Sequence, residues 1–424
     1  VLALLLVLVT IVLLFLVRRA APPGAPVLPV PRIAILSKVV GLADELPGSV
    51  PATSDGSFGV FGADLGAVTL FGDHWYMALG DTAYAPLQSG LQGNFLVASS
   101  PYQAGALRTL PLDSFLALKP VAGMQMPFRA IRPDPGYTIP GGMFTVAWRG
   151  RQYMIGEYME GGDFFGNDRW ARDSRLALYN PETHVFQPYK PRVYVWQRTD
   201  RRPSDANKLQ YSFAQDGFWE DTAHTYLYMV GTPANRFGGV KLARIPVASF
   251  VNPHDERGWS YYLGHSRWSP RTTQEMRIDA SVTWLIPPVD PSFSLDRDYD
   301  TFHYPRGAGA CAYLRIGEFS VIWNPYLRRF LLLTTGEGCQ VGYLDVFSAG
   351  AITGPWTATA QRISLPSAAP ATPRWPYYAP YTTPSLLRQG GRQLYFLASD
   401  YPQYGIYLFR ADFPARSSHR RGAP

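Results

Sequence analysis

Residues 63–82 read ADLGAVTLFGDHWYMALGDT. Two apolar runs, AVTLF and HWYMAL, flank Gly72-Asp73. That pair turns a chain back on itself, because glycine tolerates positive φ and aspartate bonds to neighbouring backbone amides. The stretch therefore reads as a β-hairpin. It also puts aspartates where strand packing favours Val or Ile, and an unpartnered buried carboxylate is costly. Asp73 is accounted for by the turn. Asp64 precedes the first strand and Asp81 follows the second, so antiparallel pairing brings these two to the same end of the hairpin.

Outward from this hairpin the pattern recurs. AVTLFGDHWYMALGDT is followed by NFLVASS, MFTVAWRGRQYMIGEYM by RLALYNPETHVFQPY, and TYLYMVGT by GGVKLARIP. FSVIWNPYLRRFLLLTTG with YLDVFSAGAITGPWT, and PSLLRQGGRQLYFLASD with YGIYLFRADF, complete five units of unequal spacing. Strand pairs in this number, with hairpin signals and almost no helical periodicity, predict an all-β five-bladed β-propeller. A two-sheet sandwich would need turns every 8–12 residues or so. Long loops at 182–210 and 264–312 argue against it.

The 424 residues are 46 % apolar and 14 % aromatic, enough for a substantial core, and the 39 Gly and 38 Pro are scattered as tight turns require. The net charge of +7 comes without a dense basic stripe interleaved with aromatics, so a nucleic-acid partner is not expected. The seven histidines are dispersed without metal-ligand spacing, and no metal or cofactor site is expected. A structural cation in the channel is compatible with the sequence but has no visible ligand set. Walker A, GxGxxG, HExxH, CxxC and GxSxG patterns are missing, which removes the nucleotide, zinc-protease and serine-hydrolase readings.

Val1–Val17 is an uncharged apolar run; at about 1.5 Å per residue it spans about 26 Å, close to a bilayer core. It reads as a transmembrane signal anchor over 1–19. A Pro-rich linker and lead-in (20–54), the propeller (55–413) and a basic tail (414–424) follow. A cleaved signal peptide is the rival reading. Arg18 and Arg19 would draw the following chain toward the cytoplasm. A disulfide between Cys311 and Cys339 would instead mark an oxidising exterior, and two buried thiols are the alternative. The expectation is a membrane anchor with the propeller on the extracytoplasmic side, at a bacterial cell surface.

GADLG, followed after a hairpin by ALGDT and then GNFLVASS, resembles the opening blade of the family catalogued as domain of unknown function 4185. That family includes the family 183 glycoside hydrolases acting as endo-D-arabinanases. GTPANRFGGVKLARIP, GEFSVIWNPYLRRFLLL, AITGPWT, and YYAPYTTP with YPQYGIYLFRADF agree in order, so the resemblance covers roughly residues 55–413. It implies a five-bladed propeller with a carbohydrate cleft at one mouth and two catalytic aspartates in the first blade, matching Asp64 and Asp81. Where the family carries a Gly-Gly-Trp-Arg-like stretch before its asparagine, this chain has QSGLQGNF, with neither Trp nor Arg, a departure in the loop that the resemblance implies contacts substrate.

Two carboxyls suit glycoside hydrolysis, one protonated to serve the leaving oxygen and one ionised as nucleophile or base. Glu318 in GEFSV is a third acid that would orient the pair or bind hydroxyls. Asn94, Arg236 and Tyr378 are the substrate-binding candidates, while Trp75 and Trp170 are aromatics that either stack on sugar or pack blades. The expected partner is a polysaccharide of arabinan type. The alternative is a non-catalytic tethered propeller that binds glycan or a membrane protein, and the basic ends, including RSSHRR at 416–421, would suit such contacts.

Overall fold

The segment FLLL at 330–333 is apolar at consecutive positions. Successive strand residues face opposite sides of a sheet, so such a strand has to bury both faces. In the computed structural model of the chain it does: Phe330 and Leu332 belong to one hydrophobic cluster, and Leu331 and Leu333 to the next. Leu394, Phe396 and Ala398 divide in the same way from Tyr395 and Leu397. Sheets buried on both faces and set around an axis make a propeller.

The structure describes residues 28–40, 62–80, 95–98, 119–125, 137–161, 171–189, 194–195, 215–232, 239–252, 254–255, 258–271, 284–286, 316–336, 343–358, 363–366, 377–400 and 405–415. They form five antiparallel sheets, the blades. The inner strands are Leu65–Phe71, Tyr137–Trp148, Gln215–Glu220, Ile316–Asn324 and Tyr377–Tyr381. Each packs against the next and the last against the first, closing a ring that a sandwich would not have. Five hydrophobic clusters fill the five seams between blades. Approach near the axis is close. A Cβ on Gly217 of the third inner strand would lie 2.9 Å from the Phe319 ring of the fourth, so a side chain there would force the strands apart.

The fifth blade closes the ring with the two ends of the chain. Its outermost strand is Arg32–Val40, antiparallel to Ile406–Asp412, with Arg32 opposite Asp412 and Val40 opposite Ile406. This segment, which the sequence suggests is lead-in, is thus part of the propeller and buries Val39 and Val40 completely. Among the described residues the one α-helix is Val247–Val251, and no helix is long and apolar enough to cross a membrane. The apolar run Val1–Val17 lies outside the described residues, as do Cys311 and Cys339.

Candidate active site

The inner strands all start at one mouth of the channel, and there Asp64 stands immediately before the first of them. Its neighbour Leu65 has φ of 67° and Gly66 has φ of 83°, with a register shift between Leu65 and Ala67. A leucine at positive φ is strained backbone that the surroundings must enforce. Part of that enforcement is visible: Gly80 N–H donates to the Asp64 carbonyl at 2.9 Å, and Ser399 Oγ donates to the Leu65 carbonyl at 3.2 Å. Gly80 also has to be glycine, since a Cβ there would collide with Asp64 Oδ1 and the Leu65 side chain.

The Asp64 side chain is held from the fifth blade. Tyr378 Oη donates to Asp64 Oδ2 at 2.8 Å, and both residues are only 9 % exposed. Tyr378, a substrate-binding candidate from the sequence, is thus a hydrogen-bond partner of the carboxylate. Ala379, the next residue, has φ of 54°, and the strand loses register between Tyr378 and Tyr381.

A second carboxyl escaped the sequence reading. Glu157, on the second strand of blade two, is fully buried at the level of Gly142. It accepts a short hydrogen bond from Ser174 Oγ, and its Oε2 has no partner among the described residues. Burial pushes its pKa up to about 8, against the opposing effect of the Ser174 hydroxyl. The carboxyl occupies the space where a Cβ of Gly141 would sit, and the Gly141 carbonyl accepts from Tyr381 Oη of the fifth blade. Tyr378 and Tyr381, from one short strand, thus brace Asp64 and the backbone beneath Glu157. The signal was present in GEYM, a carboxylate in an apolar strand where packing favours Val or Ile, the same kind of anomaly that singled out Asp64.

Glu318 opens the fourth inner strand at the same mouth, 5 % exposed, beside a register shift between Ile316 and Phe319. Asp81, Asn94, Arg236 and Trp170 lie outside the described residues. Asp73 is exposed in its turn, 3.1 Å from His74 Nε2, as turn chemistry predicts. Trp75 is fully buried in the seam between blades one and five, so it packs blades. Among the described residues no group of three His, Cys, Asp or Glu could hold a metal ion.

A cavity of about 300 Å³ lies at the opposite mouth, near Thr69, Thr145, Gln152, Glu220 and Thr382. Thr69 and Thr145 share a hydroxyl hydrogen bond of 3.0 Å, and Glu220, its pKa raised by burial, meets His224 Nδ1 at 2.7 Å. None of Asp64, Glu157 and Glu318 lines it. The channel thus has a strained mouth carrying Asp64 and Glu318, and an opposite one whose cavity mixes apolar side chains with Thr hydroxyls and Glu220.

The sequence profile of the domain of unknown function DUF4185 matches residues 49–285, which contain the Asp64 hairpin and Glu157. The chain belongs to the DUF4185 family. No curated protein matches this DUF4185 chain in sequence. Its fold is similar to that of the catalytic domain of the Coprinopsis cinerea GH62 α-L-arabinofuranosidase, at 11 % identity over 90 % of this chain and 97 % of that one, with a TM-score of 0.49. It is also similar to a family 117 glycoside hydrolase from Zobellia galactanivorans, at 11 % identity over 90 % and 91 %, with a TM-score of 0.46. The Bacillus subtilis arabinanase Arb43A matches at 12 % identity over 84 % and 96 %, with a TM-score of 0.43. These structural neighbours are glycoside hydrolases.

Proposed function

We propose that this DUF4185 protein is a membrane-anchored, glycoside hydrolase-like propeller that cleaves furanose-rich, arabinan-type polysaccharide with Asp64 and Asp81. The observation that carries the reading is the 2.8 Å bond from Tyr378 to a buried Asp64 beside strained backbone. The bond from Tyr378 fixes the orientation of the Asp64 carboxyl, which suits Asp64 as nucleophile or base and leaves Asp81 as the acid. Gly80, hydrogen-bonded to Asp64, directly precedes Asp81 in the chain. Glu318, at the same mouth, is the residue to orient the pair or bind sugar hydroxyls, and Asn94 and Arg236 are the remaining substrate-binding candidates. The two aspartates should have carboxyls about 5–5.5 Å apart for a retaining reaction or about 6.5–9.5 Å apart for an inverting one.

In this reading the anchor is the apolar run Val1–Val17, long enough to approach a bilayer core, and the propeller lies on the extracytoplasmic side, where a Cys311–Cys339 disulfide would form. The test is release of reducing ends from a panel of arabinans by the full chain, beside Asp64→Asn and Asp81→Asn. Wild type should cleave and both variants should not, while all three still bind polysaccharide. Binding without cleavage by wild type would leave a tethered glycan-binding propeller, the reading that the QSGLQGNF departure favours.

A further inference from the structure

The chain joins and leaves the propeller on one face, and that face is opposite the Asp64 mouth. In the fifth blade Tyr377–Tyr381 starts beside Asp64, Gln393–Asp400 runs antiparallel to it and Ile406–Asp412 runs antiparallel in turn. Arg32–Val40 reverses once more, so Arg32 and Asp412 both lie at the far end of the axis. Leu28 is already buried there, in a cluster against which Tyr326 and Leu327 of a far-face turn pack. Tyr326 Oη donates to the Pro414 carbonyl at 2.9 Å, which holds the departing chain at the same turn.

We infer that this far face is the membrane-proximal surface of the protein and docks on anionic lipid headgroups, so that the Asp64 mouth opens away from the bilayer. The inference rests on the anchor reading of Val1–Val17. Ten residues, 18–27, separate that run from Leu28; even at polyproline length, about 3.1 Å per residue, they reach only about 31 Å. The inner strand Ile316–Asn324 has nine residues, which at about 3.3 Å each span about 30 Å from mouth to mouth. Turning the Asp64 mouth to the bilayer would consume the whole tether along the side of the fifth blade. Laying the far face on it leaves slack.

The charges favour the same pose. Among the described residues the far face includes the turns at 72–73, 149–150, 181–184, 221–225, 325–328, 350–356 and 389–391, the segment after Pro246, and the incoming chain. Among the described residues, Arg32, Arg149, Arg151, Arg328 and Arg392 are exposed on it, against exposed Asp73 and Glu182. Val30, the exposed large hydrophobic among the described residues, sits on the incoming segment. The sequence adds Arg18 and Arg19 before this face and Arg416, Arg420 and Arg421 after it. Basic residues next to a membrane segment are drawn to anionic leaflets within a Debye length of the surface. The cavity at this mouth would then face lipid, and polysaccharide would approach the other mouth freely.

Hydrogen–deuterium exchange on the full chain tests this, comparing detergent micelles, phosphatidylcholine vesicles, and vesicles with about one-third phosphatidylglycerol. Exchange at 149–151, 222–225, 326–329 and 389–392 should slow several-fold in the anionic vesicles and less in the neutral ones. Segment 264–267, on the Asp64 side, should not change. A chain that stays in vesicles through alkaline carbonate yet shows equal exchange on both faces, or protection at 264–267, overturns the orientation and spares the anchor. A chain that carbonate strips from vesicles overturns both, and neither result bears on the reducing-end assay. As a check on charge, the combined Arg149→Glu, Arg151→Glu, Arg328→Glu and Arg392→Glu variant should lose the difference between anionic and neutral vesicles.

Discussion

Tyr378 Oη donates to Asp64 Oδ2 at 2.8 Å across the seam between the fifth and first blades, and the residue after each of them is left-handed, Leu65 at φ of 67° and Ala379 at 54°. Two strained residues flanking one hydrogen bond mean that the closed ring fixes the carboxylate before any ligand arrives. Removing the hydroxyl isolates its contribution. Tyr378→Phe should fold with a stability loss of about 1 kcal/mol and lower kcat on arabinan roughly tenfold, with little change in KM. Unchanged kcat would mean that the bond is only structural.

Gly80 lies against the same carboxyl. A methyl group there would overlap Asp64 Oδ1 and the Leu65 side chain. Gly80→Ala should therefore displace Asp64, costing about 1–3 kcal/mol by denaturant unfolding and abolishing cleavage. A variant as stable and active as wild type would show that the hairpin end is loose.

Glu157 makes a pH prediction. Its folded-state pKa, raised by burial to about 8 from 4.5, means that the folded protein holds this proton where the unfolded chain has released it. Stability therefore declines as pH rises from about 5 to above 8, with a slope of at most about 1.4 kcal/mol per pH unit from this group. Glu157→Gln, neutral throughout and of equal size, should flatten that decline and raise Tm most at the alkaline end. Parallel Tm–pH curves for the two proteins would show that Glu157 does not hold its proton.

Ring closure by Arg32–Val40 makes another. A chain beginning at Val27 keeps Leu28 and the closing strand and should fold. A chain beginning after Val40 loses buried Val39 and Val40, roughly 2 kcal/mol each, and bares the edge of Ile406–Asp412. It should aggregate or lack a cooperative transition, and a sharp unfolding transition would contradict the closure.

Where the fold was legible, it was because both faces of a blade are buried: FLLL, LYFLA and TVAW are apolar enough to mark strands without help. The inner strands of blades three and five, QDGFWE and YYAPY, were not marked, because near the axis space requires Gly217 and the backbone at the channel mouth turns left-handed at Ala379. Their hydrophobic pattern is broken where they do their work. The closing strand RIAILSKVV carries Ser and Lys and follows a proline-rich stretch, and its partner lies some 370 residues away, so no local signal ties them together. Asp64 was legible as a carboxylate out of place. Glu157 was equally out of place, but its neighbours Gly141 and Ser174 belong to other strands, and only the folded blade brings them together.

The most direct test is a crystal structure of the Asp64→Asn protein with an arabino-oligosaccharide. The account predicts sugar at the mouth formed by residue 64, Tyr378 and Glu318, with a glycosidic oxygen between the side chains of residues 64 and 81. Sugar bound instead in the opposite cavity, among Thr69, Thr145 and Thr382, would contradict it.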